Sequence, residues 1–105
     1  MSEMTHEEWE RVADAMVVWT GKGELAWPQL DDSRVIARFG SDRAIELLPV
    51  LRKLYNEFYA SDANLKAANL SEMGAMASAQ FREKYPLARP SIVDALAWCY
   101  TFDYK

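Results

Sequence analysis

Apolar positions in the first twenty residues recur at the spacing of one helix face. Trp9, Val12, Ala13, Met16 and Val17 fall at i, i+3, i+4, i+7 and i+8, while Glu7, Glu10, Arg11 and Asp14 lie off that stripe. Thr5 stands where an N-cap belongs, with Glu8 three residues on as its capping-box partner. Thr20-Gly21-Lys22-Gly23 ends the pattern, since glycine takes the left-handed conformation that closes a helix. The spacing therefore predicts a helix over about 5–20.

Residues 21–33 show no period. Trp27-Pro28 must be extended or turned, because a residue before proline avoids the α region. Asp31, Asp32 and Ser33 are all good N-caps for a short helix through Val35, Ile36 and Phe39 that Gly40 closes. The rival reading makes residues 24–27 and 34–39 the strands of a hairpin. In a helix that starts at Ser41 or Asp42 and runs to about residue 59, Ala44, Leu47, Leu48, Leu51, Leu54, Tyr55, Phe58 and Tyr59 build a broad apolar face. Pro49 lies inside this pattern on the polar side, which predicts a kinked central helix rather than two helices.

Residues 63–85 are helical in composition with an interruption near Asn69, which has capping-box spacing to Glu72. Gly74, Ala75, Ala77, Ser78 and Ala79 are small enough to admit a neighbouring helix closely, and Met73, Met76, Phe81 and Tyr85 supply larger contacts. Pro86 and Pro90 bracket a connection, and Ser91 is the expected cap of a last helix with Ile92, Val93, Leu96 and Ala97 inward.

That helix runs into Trp98, Tyr100, Phe102 and Tyr104, one residue from the chain end. As a helix, Tyr100 and Tyr104 join the core face, and Trp98 and Phe102 form a second ridge about 160° away. As a strand, all four rings share one face. The expected fold is an all-α, single-domain bundle of four to five helices kinked at Pro49. The alternative is an α+β fold with a small sheet from residues 24–39 and 97–104.

Composition narrows the picture. A chain of 105 residues that is 50% hydrophobic suits one domain and needs no metal or disulfide to hold a core. Residues 1–33 carry eight carboxylates against two basic side chains, and the rest of the chain nearly balances within a net charge of -4. Such an acidic third disfavours nucleic acid, which is bound by neutralising phosphates, and favours a basic protein partner. The acidic start lacks the basic and apolar regions of a secretion signal, no apolar run is long enough for a membrane span, and Cys99 is the one cysteine. The expected compartment is the cytoplasm.

Candidate chemistry is sparse. His6 sits in a first helical turn, and one His with one Cys cannot furnish a four-ligand zinc site. Asp31-Asp32 lacks the EF-hand spacing, and Gly21-Lys22-Gly23 lacks the Walker spacing and follows a helix rather than preceding one. No enzyme activity and no cofactor is expected. Tryptophan is enriched in interface cores, so the candidate interface is Trp19, Trp27, Asp31, Asp32, Trp98 and Phe102. The leading expectation is a small acidic cytosolic protein acting by protein contact, in its narrower form an immunity- or antitoxin-type inhibitor of a basic partner. The alternatives are a homodimer or other oligomer associating through the aromatic C-terminus, and a small-molecule-binding helical domain.

Overall fold

The computed structural model describes residues 4–104; Glu3 of the acidic third and Lys105 at the aromatic end lie outside them. Their order is α1 (His6–Thr20), α2 (Asp32–Phe39), α3 (Ser41–Tyr59), α4 (Ala63–Lys66), α5 (Leu70–Lys84) and α6 (Pro90–Asp103). α4 is a single turn, so the fold is an all-α bundle of five longer helices, and no strand occurs among the described residues. Neither half of the alternative sheet forms: residues 32–39 are helical, and α6 carries the aromatic run to Asp103. Asp31 and Gly40 bound α2 where the residue types placed its ends, and the stripe that begins at Ile92 keeps its helical period through Tyr100.

Local chemistry sets most boundaries. Thr5 Oγ1 accepts from the Glu8 N–H at 3.1 Å, and Glu8 Oε1 accepts from the Thr5 N–H at 3.3 Å, completing the capping box. Asn69 Oδ1 accepts from the Glu72 N–H at 2.8 Å and starts α5 after the break at residues 67–69. α3 runs unbroken through Pro49, which lies on its exposed side. α6 departs slightly from expectation. It starts at Pro90 rather than at a Ser91 cap, because proline at the first helical position lacks only an N–H that would have no partner in the helix.

The end of α1 is closed largely from outside the helix. A helix leaves its last four carbonyls without internal partners. Here Val17 O accepts from the Gly21 N–H, Trp19 O from the Asp31 N–H and Thr20 O from the Gln29 N–H. Val18 O accepts from Arg34 Nε at 3.0 Å, and Trp19 O also accepts from Arg34 Nη2 at 2.9 Å. No basic residue stands in the last turn of α1, so Arg34 of α2 supplies the positive charge its dipole favours. The loop is thereby pinned at its exit through backbone groups. Gly21 turns the chain at φ 84°, and a Cβ there would approach Leu25 Cδ1 to 2.4 Å.

The overall dimensions, 42 × 31 × 17 Å, accommodate helices stacked two deep. α6 lies against α1 and α5, α3 touches all three, and α2 closes on α1 and α3. Leu51, Leu54, Phe58, Phe81, Leu96 and Tyr100 form the centre, and each such side chain fully removed from water contributes about 1.5–3 kcal/mol. Phe58 meets Phe81 at 5.4 Å and Tyr100 at 5.6 Å between ring centroids. Gly74 lets α6 approach α5: a Cβ there would stand 3.0 Å from Thr101 Cγ2. Tyr100 is buried, yet its hydroxyl accepts from the Asn64 N–H at 3.2 Å and donates to Asn64 Oδ1 at 3.3 Å, tying α6 to α4.

Candidate functional site

The six candidate residues divide into two groups. Trp19 leaves the interface set. Its place on the inner edge of α1 leaves it 2% exposed, and its ring packs edge-on against Tyr55 at 5.8 Å. A buried indole N–H needs an acceptor, and Trp19 Nε1 donates to Asp32 Oδ1 at 2.9 Å. Asp32 Oδ2 accepts from Arg52 of α3. Asp31 Oδ1 caps α2 by accepting from the Ser33 N–H at 2.9 Å. The Ser33 hydroxyl, the Ser33 N–H and the Arg34 charge hold the Asp31 carboxyl below its ordinary value. Asp32 therefore joins α1, α2 and α3, and the Asp31 carboxylate is held at the start of α2, so neither stands free at a rim.

Trp98 and Phe102 take a different course. The stripe of Val93, Leu96 and Tyr100 faces inward, which turns Trp98 and Phe102 toward an open cleft of about 350 Å³ with Ala26, Leu70, Ser71 and Thr101. Trp98 is half-buried and Phe102 is 40% exposed. Trp27, next in the chain to Ala26, is 58% exposed, and Leu25 and Leu30 of the same loop are exposed too. The Lys22 ammonium lies 5.4 Å from the centroid of the Trp98 ring, a contact of the kind that contributes about 0.5–1 kcal/mol at an exposed site. The cleft thus draws on the loop after α1, the first turn of α5 and the last two turns of α6.

Leu70 and Ser71 were not among the candidates. Leu70 begins the stripe that continues through Met73, Ala77 and Phe81, so its spacing reads as core. It escapes burial because α5 starts at the edge of the bundle. The Asn69 cap was the available signal, since a stripe residue at the first position of a helix has no preceding turn to cover it.

Tyr104 departs from the core role its spacing implied. It is exposed, although its ring lies 4.9 Å from Tyr100. Below it, the Tyr59 hydroxyl donates to Asp103 Oδ2, and burial followed by this bond raises the Tyr59 pKa. Cys99 is buried, and burial pushes its thiol up to about 12. Such a thiol is a poor nucleophile at neutral pH. His6 is exposed with Nε2 3.4 Å from Glu10. Among the described residues, no three His, Cys, Asp or Glu side chains group closely enough to hold a metal ion, and no helix is long and apolar enough to cross a membrane.

The chain matches no family model, no curated protein and no solved structure.

Proposed function

We propose that this protein acts by contact with another protein, through the face where the loop after α1, the start of α5 and the end of α6 meet. The observation that supports it is the clustering of Trp98, Leu70 and Phe102 around one open cleft beside the exposed Trp27. Large apolar side chains gathered on a surface, tryptophan above all, are what interface cores are made of. The acidic side chains of α1 would add long-range attraction for a basic partner. An immunity- or antitoxin-type inhibitor is the narrower form of this reading. A reducing compartment such as the cytoplasm suits the lone buried thiol of Cys99.

The test is capture of partners from the source cells with the wild-type chain and with Leu70→Glu and Trp27→Ala. Both altered side chains are partly exposed, so the fold should survive. A stoichiometric protein retained by the wild type and lost by both variants supports the reading. A partner that all three chains retain equally, or none at near-native salt, overturns it. Light scattering over a dilution series separates a distinct partner from a second copy of this chain.

A further inference from the structure

The cleft is lined mainly by apolar side chains, and three acidic residues lie within a few positions of that lining along the chain. Leu70, Trp98 and Phe102 are the large apolar side chains of the lining. Glu72 follows Ser71 directly, and Asp94 lies one helical turn from Trp98 on the same side of α6. Glu24 stands two residues from Ala26 in the loop. All three are exposed, and no described side chain forms an ion pair with any of them. Glu72 also suits the dipole of α5 from its first turn. Neither Asp94 nor Glu24 occupies such a place.

Lys22 is a cation beside this lining, and it too lacks a carboxylate partner among the described residues. It rests on the Trp98 ring instead. One aromatic wall of the cleft therefore already carries a positive group donated by the chain itself. A guanidinium from elsewhere could replace it with better stacking, being planar and more weakly hydrated than an ammonium.

We propose that the occupant of this cleft is a cationic, apolar segment of a partner protein, with large hydrophobic side chains seated on Leu70 and Trp98 and flanking lysine or arginine facing Glu24, Glu72 and Asp94. This rests on the reading of the cleft as a contact surface and adds the chemistry of what fills it. Charge complementarity selects it over an acidic peptide, which would set like charges together, and over an anionic lipid surface for the same reason.

The test uses three synthetic peptides of one length. They share leucine and tryptophan at helical spacing and carry lysine, glutamine or glutamate at every other position. Each is titrated into the full chain and followed by the amide spectrum of residues around the cleft. The lysine peptide should bind at least about tenfold more tightly than the other two, and its advantage should shrink as salt rises. Glu72→Gln with Asp94→Asn should cut that advantage several-fold, while Glu46→Gln with Glu83→Gln, which removes equal charge elsewhere, should not. The glutamine peptide should bind all these chains alike.

Equal affinity for the three peptides overturns the assignment of a basic partner and leaves the contact surface standing. Equal losses from the two double variants also overturn it, since overall charge would then explain the preference. Tighter binding to phosphatidylglycerol vesicles than to the lysine peptide overturns it in favour of a membrane. Absence of binding by any peptide overturns it as well. The contact reading itself is decided separately, by whether Leu70→Glu and Trp27→Ala lose the captured partner.

Discussion

Trp19 and Asp32 are joined by a 2.9 Å hydrogen bond from the indole Nε1 to the carboxylate Oδ1, across the loop that separates α1 from α2. Asp32 also takes Arg52 of α3, so one carboxylate links three helices. Removing it would strand a buried N–H, at a cost of about 1–3 kcal/mol. Asp32→Ala should therefore lower the urea midpoint more than Asp32→Asn, whose amide oxygen can still accept. In a Trp19→Phe background the difference between the two should shrink toward zero, a double-mutant cycle that isolates the bond.

Asp31 predicts an acid-side loss of stability. Its pKa lies below the ordinary 3.8, first because of the Ser33 hydroxyl, then the Ser33 N–H and the charge of Arg34. A carboxyl with a depressed folded-state pKa contributes stability that is fully present above the unfolded value. That contribution is lost as pH falls through the folded value. Asp62, lowered by Lys66 and Gln80, acts in the same direction. Thermal midpoints should fall as pH drops below 3.8. Asp31→Asn keeps an oxygen for the cap and should show a shallower fall, with the gap from wild type closing at the acid end. Parallel curves for the two chains would refute the assignment.

The contact of Gly74 with Thr101 sets the spacing of α5 and α6. A Cβ at Gly74 would meet Thr101 Cγ2 at 3.0 Å. Alanine gains about 1 kcal/mol of helix propensity over glycine in a helix interior, so Gly74→Ala should be near neutral once the methyl yields. Gly74→Val adds volume that the Thr101 side chain cannot accommodate and should cost about 1–3 kcal/mol. Chemical denaturation measures both. Because Thr101 also lines the cleft, Gly74→Val should weaken partner capture as well.

Cys99 should be silent until the protein opens. The thiol is buried, and burial holds it up at about 12. A thiol-specific disulfide reagent at pH 8 should label the native chain far more slowly than an unstructured cysteine peptide. In denaturant it should label fully. Fast native labelling would mean that α6 departs readily from α1 and α5, against the burial of Leu96, Cys99 and Tyr100.

The helices were largely legible because their signals are local. Thr5 with Glu8, Asp31, Gly40 and Asn69 act within a turn of where they stand, through caps and φ preferences that need no distant partner. The positions that local signals leave open depend on neighbours far along the chain. The stripe position of Trp19 leaves a contact role open, because it does not reveal that Asp32 reaches its N–H. Tyr104 shares the inward phase of Tyr100 but lies at the end of α6, where Tyr100 covers one side of its ring and the rest stays exposed. Arg34 showed no sign of its bonds to Val18 O and Trp19 O, since those carbonyls come near only once α2 folds back on α1.

The order of residues by itself determined the apolar side of each helix and most helix starts. These follow from periodicity and capping, whose range is three or four residues. It left open the choice between helix and strand at residues 24–39 and 97–104, and α6 begins at Pro90 rather than Ser91. Once that last run is a helix, the same period puts Trp98 and Phe102 on a ridge apart from the Leu96 and Tyr100 face. Only the tertiary structure decided what became of that ridge. Burial depends on which helices lie alongside, and α1 and α5 cover α6 without closing over its outer side. Leu70 at the start of α5 and Ala26 of the pinned loop complete a cleft there. Asp31 and Asp32, adjacent acids of equal promise in the chain, were committed instead to a helix cap and an indole, because folding brought the donors to them.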